Sequence, residues 1–176
     1  LGDVYKRQFF WDKYEKSNWF LEQVIATADQ ELGSRKVKFL FDVPQQDGGQ
    51  WDMVVALFEK YGVVPKAAYP ESISSSNSRE LNQYLNKLLR QDAQILREAI
   101  AAGADDKAVQ AKKEALLQEV FNFLAINLGL PPRTIDFAYR DKDNNYNSDK
   151  NITPQEFFKK YVGLDLSEYV LSLIHI

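Results

Sequence analysis

The sequence predicts a mainly helical α+β fold. Three observations carry that expectation. Apolar residues recur at three- and four-residue steps over several long segments. Glycines at positions 33, 62, 103, 129 and 163 stand where those segments end, as helix stops do. Alternation of the two-residue kind is confined to Val37-Phe39-Phe41 and Ile135-Phe137-Tyr139.

The first helix is expected over Phe9 to Leu32, where Phe10, Tyr14, Leu21, Val24, Ile25, Ala28 and Leu32 form the stripe and Gly33 ends it. Phe9-Phe10-Trp11 and Trp19-Phe20-Leu21 make it apolar nearly all round, so it calls for covering surface from a larger protein. Val37, Phe39 and Phe41 suggest a short strand or extended loop, broken at Pro44. Asp47-Gly48-Gly49-Gln50-Trp51-Asp52 follows, with two consecutive glycines. Such a pair can take positive φ and let another backbone approach. It reads either as a tight turn with a cap or as a binding edge for an extended peptide. Asp47 and Gln50 have capping-box spacing. The next helix, Met53 to Tyr61, places Trp51, Val54, Val55 and Phe58 on one face. Gly62 closes it, and Val63-Val64-Pro65 is an extended exit.

Glu71 to Ser78 reads as a polar, serine-rich linker, with Asn77 and Glu80 at capping-box spacing. Leu81, Tyr84, Leu85, Leu88, Leu89, Ile95, Leu96 and Ala99 then line a long helix that stops at Gly103. Asp105 caps its successor, which carries Val109, Leu116, Leu117, Val120, Phe121 and Leu124 and stops before Gly129 and Pro131-Pro132. The two make an antiparallel helical hairpin. Its Lys87, Arg90, Arg97, Lys112, Lys113 and Glu114 are expected to form a solvated outer face. Ile135, Phe137 and Tyr139 give a short strand, and Asp141 to Asn151 a polar loop. Thr153-Pro154-Gln155-Glu156 starts a last short helix, with Thr as cap, Pro at the first helical position and Glu at the third. Gly163 ends it.

Composition bounds the function. The 176 residues are 45% hydrophobic and 27% charged, a globular balance. Three Trp, nine Tyr and eleven Phe supply a sizeable core. A net charge of −3 gives no reason to expect nucleic acid or an anionic membrane as partner. No apolar run approaches the ~20 residues that span a bilayer. The absence of cysteine excludes disulfides, thiolate metal sites and a cysteine nucleophile within these residues. His175 is the only histidine, so a metal cluster or a Ser-His-Asp triad has almost no raw material. No cofactor is expected.

Asp141, Asp143, Asn145 and Asn147 have the alternate spacing of a calcium loop. The match fails where the geometry is strict, because Tyr146 stands at the sharp-turn position and Ile152 at the bidentate one. Asn151-Ile152-Thr153 fits a glycosylation sequon, but Thr153 is better read as the cap. The carboxylates Asp12, Glu15, Asp52 and Glu59 do not pair as acid and base.

Several blocks, in order, resemble one family. Phe9-Phe10-Trp11-Asp12-Lys13-Tyr14-Glu15-Lys16, the stretch from Asp47 to Pro70, Tyr139-Arg140-Asp141-Lys142-Asp143 and Thr153-Pro154-Gln155-Glu156-Phe157 are similar to the aminopeptidase C and bleomycin hydrolase family of papain-like cysteine exopeptidases. The most specific part is Gly48-Gly49-Gln50-Trp51-Asp52 followed by Glu59-Lys60-Tyr61-Gly62-Val63-Val64-Pro65. The resemblance implies part of a papain-like fold, its helical lobe, with a helical-hairpin insertion. It also implies a cysteine nucleophile, a histidine, an asparagine and an oxyanion-hole glutamine, all lying outside this chain.

No catalytic residue is therefore expected here, and His175 is not assigned that role. Gly48 and Gly49 match the glycines that hold substrate backbone in papain-like clefts, and Gln50 and Trp51 would lie near the second subsite. The expected organisation is a non-native end over 1–7, part of the helical lobe over 8–76, the insertion over 77–130, a return to the papain-like core over 131–170 and a second non-native end over 171–176. Both ends resemble translated adapter sequence attached to an internal piece of a gene. The family implies peptide substrates and a cytoplasmic homohexamer, and the lack of cysteine and the single histidine leave no metal site expected. The rival expectation is a mainly helical interaction module whose hairpin binds a partner helix.

Overall fold

The computed structural model describes residues 5–169; His175, the end stretch 171–176 and residues 1–4 fall outside them. The element order is α1 (Tyr5–Ala26), α2 (Arg35–Asp42), α3 (Trp51–Tyr61), a 3-10 turn (Lys66–Ala68), α4 (Ile73–Ser76), α5 (Arg79–Ala101) and α6 (Asp106–Leu128). Then come β1 (Ile135–Arg140), β2 (Tyr146–Ile152), α7 (Pro154–Phe157) with a π-helical continuation (Phe158–Val162), and a 3-10 turn (Leu166–Glu168). This is a mainly helical α+β fold with one two-stranded antiparallel sheet among the described residues. The chain forms two compact units. Within the described residues one comprises 5–11, 48–71 and 131–169, and the other 12–47 and 72–130.

The second unit is built on the hairpin. Leu81, Leu85, Leu89, Ala93 and Leu96 of α5 are buried, as are Val109, Leu116, Leu117, Val120, Leu124 and Leu128 of α6. Asp105 caps α6, its side chain accepting from the Ala108 N–H at 2.7 Å. Phe20, Leu21 and Val24 of α1 are wholly buried. The near-continuous apolar character of α1 thus needs less outside covering than its composition suggests, although Trp19 stays half-exposed.

The first unit has its own core, in which Val63, Val64, Tyr69, Ile135, Ile152 and Phe157 are buried and Phe58, Phe137 and Tyr161 pack against them. Phe137 sits edge-on to Phe157 and Tyr161, with centroids 4.9 and 4.7 Å away. In the hairpin Ile135 pairs with Ile152 and Tyr139 with Asn147, with an irregularity between Ile135 and Phe137. Thr153 and Glu156 form the expected capping box. At the end of α3, Gly62 has φ of 64°, and an added Cβ there would meet the Pro154 backbone at 2.2 Å. The Val63 N–H donates to the Pro154 carbonyl at 3.1 Å, so only glycine lets these backbones close up.

Several expectations are corrected. The segment at Val37 is the helix α2, not a strand. Ser34 accepts from the Val37 N–H, and Val37 and Leu40 turn inward, which leaves Phe39 exposed. The helix α1 ends at Ala26, six residues short of Leu32. Arg97 of α5 donates to the carbonyls of Thr27 (2.8 Å) and Gln30 (2.5 Å), which satisfies the chain where the helix stops. Arg90 does the same after α2, donating to the carbonyls of Phe41 (2.9 Å) and Asp42 (2.6 Å). Lys113 is buried and paired with Glu22. Arg97 is half-buried, whereas Arg90 stays exposed as expected while it holds the Phe41 and Asp42 carbonyls. The serine-rich linker contains the short helix α4, boxed by Ser72 and Ser75, and Asn77 ends it instead of boxing α5. Half of the polar loop after Asp141 is the strand β2.

Candidate functional site

The double glycine lies between α2 and α3. Gly48 has φ of 85°, in the left-handed region, and a Cβ added to it would meet nothing within 4 Å. Gly49 is tighter, since a Cβ there would come 3.2 Å from Met53 Sδ. Gln50 is extended and acts as the N-cap of α3, its N–H facing Met53 Sδ at 3.5 Å. Gly48, Gly49 and Gln50 are exposed. Trp51 is half-buried, and its indole Nε1–H donates to the Tyr169 carbonyl at 3.0 Å. Exposed main chain with little side chain in front of it suits pairing with an extended backbone. The four residues are thus contiguous in the first unit, and none brings a nucleophile or a general base.

Asp47 does not cap α3 as its spacing predicts. Its carboxylate, within the second unit, is ion-paired with Lys13. It also accepts from Ser78 Oγ (2.6 Å) and Asn82 Nδ2 (2.8 Å). Lys13 is fully buried on α1, and its ammonium donates to Gln45 Oε1 at 2.8 Å. Gln45 is held in turn by Asn86, whose Oδ1 accepts from the Gln45 N–H (3.0 Å) and whose Nδ2 donates to the Gln45 carbonyl (3.1 Å). Gln45 Nε2 donates to Asn82 Oδ1 at 3.2 Å. Lys16 joins Asp12 at 2.7 Å and reaches the Gln46 carbonyl at 3.1 Å.

The electrostatics follow from burial. Desolvation lowers the Lys13 pKa, and the hydrogen bond and charge of Asp47 oppose it. Desolvation pushes the Asp47 carboxyl up, but hydrogen bonds from Lys13, Ser78 and Asn82 outweigh it and hold the group below the usual carboxylate range. Asp12 is raised by burial, with Lys16 as the main opposing partner.

Asp141 folds its carboxylate onto its own turn, Oδ1 accepting from the N–H groups of Asp143 and Asn145 at 2.9 Å each, so the calcium-like spacing serves an Asx turn. Among the described residues no group of three or more His, Asp or Glu side chains is placed to hold a metal. No helix among them is long and apolar enough to cross a membrane. Sequence reasoning missed the Lys13 network. A signal was present, because Lys13 shares the stripe of Phe10, Ser17, Phe20, Leu21 and Val24, all wholly buried. A lysine in such a stripe requires a partner.

A family model described as Peptidase C1-like family matches residues 4–175. The chain is 81% identical over 162 residues to an aminopeptidase C of Streptococcus thermophilus, covering 92% of this chain and 36% of that relative. It is 65% identical over 162 residues to an aminopeptidase C of Lactococcus lactis subsp. lactis, again covering 92% and 36%. A solved structure described as pepw from Lactobacillus rhamnosis HN001 superposes with a TM-score of 0.90 at 56% identity, covering 94% of this chain and 37% of that one. The chain therefore spans little more than a third of the length of the proteins it matches.

Proposed function

Because the chain belongs to the Peptidase C1-like family, we propose that it is a segment of a papain-like cysteine aminopeptidase that removes N-terminal residues from peptides. The observation that carries this reading is the 81% identity to an aminopeptidase C over 92% of the chain. The sequence contains no cysteine, so the thiolate that attacks the scissile carbonyl, the histidine that activates it and the asparagine and glutamine that assist come from sequence outside these residues. This segment's own contribution is binding. Gly48 and Gly49 hold the substrate backbone through main-chain groups, and Gln50 and Trp51 border the second subsite.

We further propose a bleomycin hydrolase-like character for the whole protein, a cytoplasmic homohexamer, with the stretch 77–130 as an insertion that takes part in ring assembly. The stretches 8–76 and 131–170 are the proposed division of the papain-like part.

The test is a graft. Residues 9–169 replace the aligned segment of the Streptococcus thermophilus aminopeptidase C, and hydrolysis of an aminoacyl-amide substrate is measured with and without a thiol alkylator. The expected result is hydrolysis that alkylation abolishes. A folded graft without activity, or activity indifferent to alkylation, overturns the reading. In that graft Gly48→Val is expected to raise KM about tenfold or more with kcat little changed, the signature of lost uniform substrate binding.

A further inference from the structure

The binding reading leaves the Lys13–Asp47 network unused. We propose that this pair is a positioning clamp: it immobilises the strap Val43–Asp47, so that the glycine pair that follows in the chain leaves from a fixed point and meets substrate already ordered. The inference rests on the reading of Gly48 and Gly49 as the substrate-holding edge.

Three observations support it. A fully buried lysine is an inefficient way to stabilise a core, because desolvating the ammonium offsets most of what the ion pair returns, and an apolar side chain of similar volume would do as well. Its presence is better explained by what it specifies, which is where the strap runs. The strap, moreover, has no helix or strand to order it. Its order comes from side chains of two helices: Lys13 of α1 on Gln45 and Asp47, and Ser78, Asn82 and Asn86 around α5 on the same two residues. The Asn86 side chain makes a two-way bond with the Gln45 main chain, as a neighbouring strand would. Finally, the last clamped residue, Asp47, immediately precedes Gly48, the residue with φ of 85°. Glycine carries the largest conformational freedom of any residue. Ordering the chain up to that point during folding spares the ordering loss when substrate binds.

The test uses the same graft. The double variant Lys13→Met/Asp47→Asn removes both charges, so no ion is stranded in the core. The variant Ser78→Ala/Asn82→Ala acts on two half-buried side chains and leaves the ion pair in place. Each is measured for the rate of proteolytic nicking between Pro44 and Trp51, read by mass spectrometry, and for KM and kcat separately. The clamp predicts nicking about tenfold faster and KM about tenfold higher in the double variant, with kcat within about twofold, the loss expected for one charge-assisted contact. Smaller changes in the same direction are expected for the second variant. A merely structural pair would lower thermal stability and leave both readouts of the folded enzyme unchanged, which overturns the proposal. Faster nicking with unchanged KM upholds the clamp and instead overturns the reading of Gly48-Gly49 as the substrate edge.

Discussion

Asp92 shows how one side chain can set a pH dependence. It lies in α5, 1% exposed, and its Oδ2 has no hydrogen-bond partner. Desolvation raises its pKa to about 7, and the charge of Glu119 on α6 adds to the effect. The acid therefore stays protonated in the folded chain over a range where the unfolded chain has released its proton. The unfolded state then binds fewer protons, and stability falls as pH rises from about 4 towards about 7. Asp92→Asn is expected to flatten that slope, as checked by thermal melts across the interval. At Gly62 the constraint is steric. Gly62→Ala sets a Cβ against the Pro154 backbone at a positive φ, and a loss of about 2–4 kcal/mol in denaturant unfolding is expected from strain and overpacking together. Gly62 was legible as a helix stop. That it is also a contact surface was not, because its partner lies far along the chain.

Element by element, local chemistry explains what could be read and what could not. The start of α7 was legible because its whole signal sits within four residues: Thr153 Oγ1 accepts from the Glu156 N–H at 3.2 Å, and Glu156 Oε2 accepts from the Thr153 N–H at 2.8 Å. Thr153→Ala should cost about 1 kcal/mol, read as a lower urea midpoint at unchanged slope. The helix α2 was misread because its eight residues satisfy either period, and the side that turns inward is settled by packing. The strand β2 was missed because Tyr146-Asn147-Ser148-Asp149-Lys150-Asn151 carries almost no strand-forming side chains; its order comes from pairing with β1 and from Asp149, which accepts from Lys160 and Tyr161. Arg90 and Arg97 looked like surface charge because sequence spacing cannot show which carbonyls a side chain will reach. The candidate corner divides the same way. Its glycines were visible, while the lysine that holds the chain before it was hidden in a helix stripe far upstream.

At the scale of the whole chain, the proposed function divides the labour between binding by these residues and chemistry by others. These residues supply a scaffold of helices and the proposed main-chain edge, and they bring no thiol. The chain on its own is expected to release no product from an aminoacyl-amide substrate. Hydrolysis that persists after removal of contaminating peptidases would contradict the placement of the nucleophile elsewhere. Phe39, Ile73 and Ile126 are exposed in this chain; large apolar side chains left in water favour self-association. The isolated chain should therefore bind an apolar dye more strongly than the grafted enzyme does.

The contact between Gly62 and Pro154 has a consequence for the order of synthesis. Gln155 also reaches back to the Lys60 carbonyl, a partner 95 residues away in the chain. Everything in 72–130 leaves the ribosome between these two partners. At ~5–20 residues per second that leaves several seconds in which α5 and α6 can form local contacts while the end of α3 waits. The seam at Gly62 thus has to wait for Pro154 to be made, so it closes after the whole of the intervening chain has been synthesised.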